Sequence, residues 1–87
     1  MIFAHFREEP GPVIVEDDVF IGLGAILLPN VTVGRGAVIA PGSVVSSSVP
    51  PMTMVQGNPA KPVAKVGVPI MKTASLNDFT GKLTPLV

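Results

Sequence analysis

The sequence predicts an all-β protein, a parallel β-helix with three faces, and three observations support this fold class. First, residues 15–50 repeat every six residues without interruption, as VEDDVF, IGLGAI, LLPNVT, VGRGAV, IAPGSV and VSSSVP. Second, position one of each hexad is aliphatic and position five is small or β-branched. Third, position four holds residues that tolerate positive φ or favour turns: Asp18, Gly24, Asn30, Gly36, Gly42 and Ser48. A fixed period of this kind is typical of a repeat architecture.

The spacing of the apolar positions disagrees with an amphipathic helix, which places apolar residues three and four apart. Here the separations alternate between four and two, and residues two apart lie on the same face of a strand. Each hexad is therefore a short strand plus a bend, and three hexads close one triangular coil of eighteen residues. Stacking of successive coils then predicts three aliphatic pairs: Val15 with Val33, Ile21 with Ile39, and Leu27 with Val45.

The length of the repeat predicts an assembly. Extending the frame outward gives about eight hexads, which is fewer than three full coils, whereas repeat arrays need roughly three stacked units for stability. The chain has 87 residues, of which 47% are hydrophobic and 14% charged. We therefore expect it to bury outer surface against copies of itself, and a homotrimer suits a three-sided prism.

Composition excludes several classes of function. The absence of cysteine removes disulfides, thiolate catalysis and cysteine zinc sites. A formal net charge of zero and the lack of a basic stripe disfavour nucleic acid as a partner. The N-terminal sequence MIFAHFREEP does not have the form of a signal peptide, and no apolar stretch is long enough to span a membrane. We therefore expect no membrane partner and a cytoplasmic location.

The flanks of the repeat divide the chain into three parts: an N-terminal segment at residues 1–10, the β-helix at 11–56, and a C-terminal tail at 57–87. The VPPM sequence at residues 49–52 is expected to end the coil rhythm, and QGNPAKP to form an exposed turn followed by extended chain. Residues 63–70 alternate loosely and predict a strand that reaches a neighbouring subunit. The capping-box sequence SLND predicts a short helix near residues 76–82.

The hexads, followed by VPPMTMVQGNPAKPV, resemble the C-terminal part of the hexapeptide-repeat acyltransferases, whose fold is a left-handed parallel β-helix. The likeness covers residues 11–66 and is closest to the sugar and maltose O-acetyltransferase branch, in which a Val-Pro-Pro turn precedes Gly-Asn-Pro-Ala-Lys. The resemblance implies transfer of an acetyl group from acetyl-CoA to a hydroxyl of a sugar or other small-molecule acceptor. It also implies that the acetyl-CoA site is a cleft between two subunits of a trimer.

The same resemblance implies a histidine general base located just before the coil that opens with GPVIVEDDVFIG. His5 is the one histidine of the chain, and a neutral imidazole can take the proton from an attacking hydroxyl. The alternative interpretation is a surface histidine near the terminus. The oxyanion of the thioester needs donors, and the backbone N–H of a glycine turn such as Gly24 can supply one.

The cofactor-binding residues that the resemblance implies are Gly24, Ala40, Gly42, Asn58 and Lys61. Backbone groups around Ala40 and Gly42 are expected to line the pantetheine arm, and Lys61 to meet the phosphates. Relatives often carry a lysine after the position of Val45, whereas this chain has three serines at residues 46–48. We interpret these serines as a polar, solvent-facing turn.

Two other activities of β-helices are disfavoured, and one non-enzymatic alternative stays open. A carbonic anhydrase of this fold needs three histidines for its zinc, so no metal site is predicted. An ice-binding helix needs flat rows of threonine, and the hexads contain or adjoin only Thr32 and Thr53. The remaining alternative is a non-catalytic trimeric β-helix that serves as a scaffold or regulatory subunit.

Overall fold

Short parallel strands wind around a three-sided prism in the computed structural model, which describes residues 2–3, 11–70 and 81–86. Because a turn-forming residue interrupts each hexad, the strands of the repeat are only two residues long. The strands within the described residues are β1 (Ile2–Phe3), β2 (Ile14–Val15), β3 (Phe20–Ile21), β4 (Ile26–Leu27), β5 (Thr32–Val33), β6 (Val38–Ile39), β7 (Val44–Val45), β8 (Thr53–Gly57), β9 (Ala60–Val66) and β10 (Leu83–Pro85).

Successive strands lie on successive faces of the prism. Face A contains β1, β4 and β7, and face B contains β2 and β5, to which Val49 adds a parallel bridge. Face C contains β3, β6 and β8. The first coil is therefore β1–β3, the second is β4–β6, and the third is β7, Val49 and β8. Every pairing within the prism is parallel, which confirms the predicted three-faced parallel β-helix.

The register of β2, β3 and β4 with the strands of the next coil follows the eighteen-residue period. Val15 pairs with Val33, Ile21 with Ile39, and Leu27 with Val45, so all three predicted aliphatic pairs are confirmed. Position-one side chains form the interior, since Leu27, Val33 and Ile39 are fully buried. The small residues of position five, such as Ala25 and Ala37, fill the corners beside them.

The turn residues at position four adopt the left-handed conformation that the sequence predicts. Their φ values lie between 61° and 75° in five consecutive hexads, at Asp18, Gly24, Asn30, Gly36 and Gly42. Ser48 is not among the positive-φ residues, and Met52 (φ 53°) is. The positive-φ turn is therefore absent at Ser48 and occurs at Met52, four residues later.

A shortened corner in the third coil explains this shift. Val33 bridges to Val49, and Ile39 pairs with Val55, so each separation is sixteen residues instead of eighteen. The serine corner at residues 46–48 is exposed, as expected, and the Ser48 hydroxyl accepts a hydrogen bond from the Thr32 N–H (3.0 Å). After it, VPPMTM behaves as a regular hexad whose fourth residue has positive φ. The expectation that the repeat ends at residues 49–52 is therefore wrong. The third coil is two residues shorter than the others, so the hexad pattern shifts by two residues and continues.

The C-terminal part extends face C. Strand β8 turns at Asn58 and a cis-bonded Pro59 into β9, which pairs with it in antiparallel fashion, and β10 pairs with β9. The predicted strand at residues 63–70 thus begins earlier, at Ala60, and pairs within its own chain. The predicted helix near 76–82 lies largely outside the described residues, as does most of the N-terminal segment 1–10.

A second apolar cluster covers the outer side of face C. Val38 and Val66 are buried there, with partly buried side chains packed against them: Met52, Met54, Ile70 and Leu83. Pro69 is also buried and lies near Gly36, at the corner between faces B and C. The C-terminal chain therefore stabilises the outside of the second and third coils.

Candidate functional site

The corner between face C and face A brings together the five residues predicted to bind the donor. Gly24 lies at this corner in the first coil, and Ala40 and Gly42 occupy it in the second. Asn58 follows the end of β8 in the third coil, and Lys61 pairs with Gln56 across the β8–β9 hairpin. We call this line of residues the C–A edge.

Backbone contacts hold the first and second turns of the C–A edge against each other. The Gly42 N–H donates to the Leu23 carbonyl (3.0 Å), and Gly24 and Gly42 have φ values of 75° and 72°. A side chain is also excluded at Gly22, because an added Cβ would overlap the backbone of Pro41. The two turns are thus stacked directly, so their backbone groups lie along one line on the surface.

The third level of the C–A edge is joined to the second by two further bonds. The Ala40 N–H donates to the Val55 carbonyl (3.0 Å), and the Gly57 N–H donates to the Ser43 hydroxyl (3.2 Å). Sequence reasoning did not single out Ser43, whose side chain is buried. The available signal was a hydroxyl at position five, where the other hexads carry Val or Ala.

The exposed groups of the C–A edge are chemically distinct at its two ends. Gly24, Gly42, Asn58 and Lys61 are exposed. Ala40 is buried, its N–H donates to the Val55 carbonyl, and its carbonyl accepts from the Ser43 N–H. The third-coil end therefore carries an ammonium and an amide. The first-coil end carries backbone groups of a glycine turn.

The N–H groups of the later turn residues join successive coils. The N–H groups of Asn30, Gly36 and Gly42 each donate to a carbonyl of the preceding coil, at 3.0 to 3.1 Å. Gly24 has the same positive-φ turn in the first coil. A backbone N–H at such a turn is the type of donor that can stabilise a developing oxyanion.

His5, the predicted general base, lies outside the described residues, so its position relative to the C–A edge stays a prediction. Within residues 11–70 and 81–86, no three His, Cys, Asp or Glu side chains are grouped so that they could hold a metal ion. No helix in the described part of the chain is long and apolar enough to cross a membrane.

Comparison with known proteins extends the observations on the fold. Residues 12–47 match the family model described as bacterial transferase hexapeptide (six repeats). A 2,3,4,5-tetrahydropyridine-2,6-dicarboxylate N-acetyltransferase of Staphylococcus aureus is 52% identical over 62 residues, which are 69% of this chain and 26% of that protein.

Solved structures show the same similarity in three dimensions. A hexapeptide-repeat-containing acetyltransferase of Vibrio cholerae, complexed with acetyl-coenzyme A, superposes with a TM-score of 0.63 and 42% identity, covering 63% of this chain and 30% of that one. A maltose O-acetyltransferase of Clostridium difficile gives a TM-score of 0.62 and 44% identity, covering 63% and 29%.

The chain spans about a quarter of the length of the curated relatives it matches. The similar solved structures are hexapeptide-repeat acetyltransferases with a left-handed parallel β-helix. The hexad pattern, the three-faced prism and these similarities agree with one another. The chain therefore carries the six-residue repeat of the hexapeptide-repeat transferases, and it is similar in sequence and fold to hexapeptide-repeat acetyltransferases.

Proposed function

We propose that this protein transfers an acetyl group from acetyl-CoA to a hydroxyl of a sugar or another small acceptor, with the donor bound along the C–A edge. The observation that carries the proposal is the alignment of Gly24, Gly42, Asn58 and Lys61 on one corner in three successive coils. A similar acetyltransferase from Vibrio cholerae forms a complex with acetyl-coenzyme A, which supports the same donor here.

The order of groups along the edge fits the order of groups in acetyl-CoA. Adjacent strands lie about 4.8 Å apart, so the first and third coils are separated by roughly 10 Å along the prism. The pantetheine arm is long enough to bridge this separation between the thioester and the phosphates. In this orientation Lys61 binds phosphate oxygens through a charge-assisted hydrogen bond, and Gly24 lies at the thioester.

The proposed reaction uses His5 as general base. Its neutral imidazole removes the proton of the acceptor hydroxyl while the hydroxyl oxygen attacks the thioester carbonyl. The oxyanion that forms accepts a hydrogen bond from the Gly24 N–H. The carbon–sulfur bond then breaks, and the imidazolium returns its proton to the departing CoA thiolate. A homotrimer places a donor site between neighbouring prisms, and the reaction is expected in the cytoplasm because its donor is an intracellular metabolite.

Calorimetric titration of acetyl-CoA into the full chain tests the donor site. We expect Lys61→Gln to weaken binding about tenfold, because it removes the charge from one phosphate contact. Lys65→Gln is the matched control, since Lys65 is an exposed lysine of the same strand that lies outside the C–A edge. Absence of binding at about millimolar acetyl-CoA, a very weak affinity limit, would contradict the proposed donor.

Turnover assays test the transfer step separately. Release of the CoA thiol is measured with sugar hydroxyls and with amines, because the Staphylococcus aureus relative is named an N-acetyltransferase. His5→Ala is expected to lower kcat while leaving acetyl-CoA affinity unchanged, as for a group that acts in the transition state. Donor binding without acetylation of any acceptor would favour the non-catalytic scaffold or regulatory subunit instead.

A further inference from the structure

Ser43 places a buried hydroxyl at a hexad position that holds Val or Ala in the other five hexads of residues 15–50. Its side chain is 1% exposed and lies at the C–A corner, directly after Gly42. Ala25 occupies the same corner one coil earlier and is equally buried, so the corner can be filled without a hydroxyl. Because burial of a hydroxyl is unfavourable unless it is hydrogen-bonded, the group that Ser43 binds explains its presence.

The group bound by the Ser43 hydroxyl is the backbone N–H of Gly57, at a distance of 3.2 Å. Gly57 is the last residue of β8, and its φ of 107° is a conformation that glycine adopts readily. Asn58 follows it directly, and Ala60 pairs with it across the β8–β9 hairpin. The bond therefore fixes the residue at which the chain leaves the third coil and enters the hairpin.

This bond differs from the contacts that join coils at other corners. Between the first two coils, the C–A corner is joined through the backbone, since the Gly42 N–H donates to the Leu23 carbonyl (3.0 Å). The B–C corner of the third coil is also joined through the backbone, by the Met52 N–H and the Arg35 carbonyl (2.8 Å). At the third level of the C–A edge the acceptor is instead the side chain of Ser43. The junction between the second and third levels therefore depends partly on one side chain.

From these contacts we infer that Ser43 is a positioning residue for the phosphate end of the donor site, an inference that rests on the proposed function. Ser43 is buried and does not touch the donor. Its hydroxyl sets the spacing between Gly42, which precedes it, and the hairpin that begins at Gly57. Lys61 lies on that hairpin, paired with Gln56. A lysine on a fixed backbone loses less conformational freedom when it binds a phosphate, so its contact contributes more to affinity.

Calorimetric titration of acetyl-CoA into the full chain tests this role. Ser43→Ala is expected to weaken binding about fivefold, and the fold is retained because Ala25 fills the same corner. Thr53→Val is the matched control. Thr53 has the same position in the hexad VPPMTM, is buried, and donates its hydroxyl to the Pro51 carbonyl (3.0 Å) at the other end of β8. Unchanged binding by Ser43→Ala, or an equal loss in Thr53→Val, overturns the inference.

A double-mutant cycle distinguishes positioning from a general loss of structure. If Ser43 acts through Lys61, the variant that combines Ser43→Ala with Lys61→Gln binds acetyl-CoA about tenfold more weakly than the unmodified chain, which is the loss expected for Lys61→Gln alone. A purely structural effect of Ser43, such as a smaller folded fraction, multiplies with the loss at Lys61 and gives about fiftyfold. A loss near fiftyfold therefore contradicts the assigned role.

Amide hydrogen exchange tests the underlying contact without a ligand. Ser43→Ala is expected to speed exchange of the Gly57 N–H about tenfold, while the Ala40 N–H, which donates to the Val55 carbonyl, exchanges as before. Unchanged exchange at Gly57 overturns the inference. If the unmodified chain binds no acetyl-CoA, the proposed function fails and this inference fails with it. If the unmodified chain binds acetyl-CoA and Ser43→Ala binds it equally well, this inference alone fails.

Discussion

The first and second coils carry the same hexad pattern and yet differ in how they bury it. Val33 and Ile39 of the second coil are fully buried, whereas their register partners are 40% exposed at Val15 and partly buried at Ile21. Both coils place position one toward the interior. The second coil has a described coil on each side, while β2 and β3 of the first coil have a strand on one side only.

This difference shows that the hexad pattern determines which side chains point inward, whereas the extent of their burial depends on the neighbouring coils. In a stacked array each unit contacts only the units beside it, so stability is approximately a sum of unit and interface contributions. The second coil, which has two coil interfaces, therefore contributes more to stability than the first. The first coil is the part whose stability depends most on what else contacts it.

The largest expected effect compares two isoleucines in one column. Ile39→Ala is expected to lower the free energy of unfolding by about 3 kcal/mol, because it opens a cavity in a closed interior. Ile21→Ala removes the same atoms from a partly exposed site and should cost about 1 kcal/mol. Urea unfolding at one fixed protein concentration measures both values. Equal losses would mean that the first coil is as well covered in solution as the second.

An intermediate effect is expected where a glycine faces a proline of the following coil. Gly22 belongs to the first coil and Gly34 to the second, and a Cβ at either would overlap the backbone of Pro41 or Pro51. Since both coils have a following neighbour, each Gly→Ala change should cost about 2 kcal/mol, a value typical of overpacking. Thermal unfolding of the two variants should therefore agree. Gly81→Ala, whose added Cβ meets no atom of the described residues within 4 Å, is the control with little effect.

The smallest effect concerns turn residues of the first coil. Asp18 has a φ of 61° in the column where the second coil has Gly36, so Asp18→Gly removes backbone strain while losing a half-exposed ion pair with Arg35. The two contributions nearly cancel, and we expect a change in unfolding free energy below about 0.5 kcal/mol. Asp17→Gly gains no such relief and should destabilise by about 0.5 to 1 kcal/mol. A loss at Asp18 as large as that at Asp17 would show that its turn is not strained.

The prediction of the fold succeeded where the repeat was regular and failed where its length changed. The three aliphatic pairs and the turn conformations at Gly24 and Gly42 follow from the period alone. The prediction for the third coil was wrong because the sequence SSSVPP is compatible both with the end of the repeat and with a shortened corner. Only the pairing of Val33 with Val49 shows that the third coil is two residues shorter than the regular period.

The common corner of the candidate residues was predictable from the coil period, whereas the contacts that support this corner were not. Resemblance named Gly24, Gly42 and Lys61, and the coil geometry places them on one corner. The bond from Gly57 to the Ser43 hydroxyl joins residues fourteen apart. That separation departs from the period of the repeat, so no pattern in the sequence predicts it.

The sequence by itself determined which side chains point inward, because a six-residue period on a strand-and-turn unit leaves one consistent set of faces. Tertiary structure decided what those faces contact. It pairs β9 with β8 and covers the outside of face C. The reason is physical: the inward direction of a side chain is a local property of each hexad, whereas its burial depends on which distant strands become neighbours.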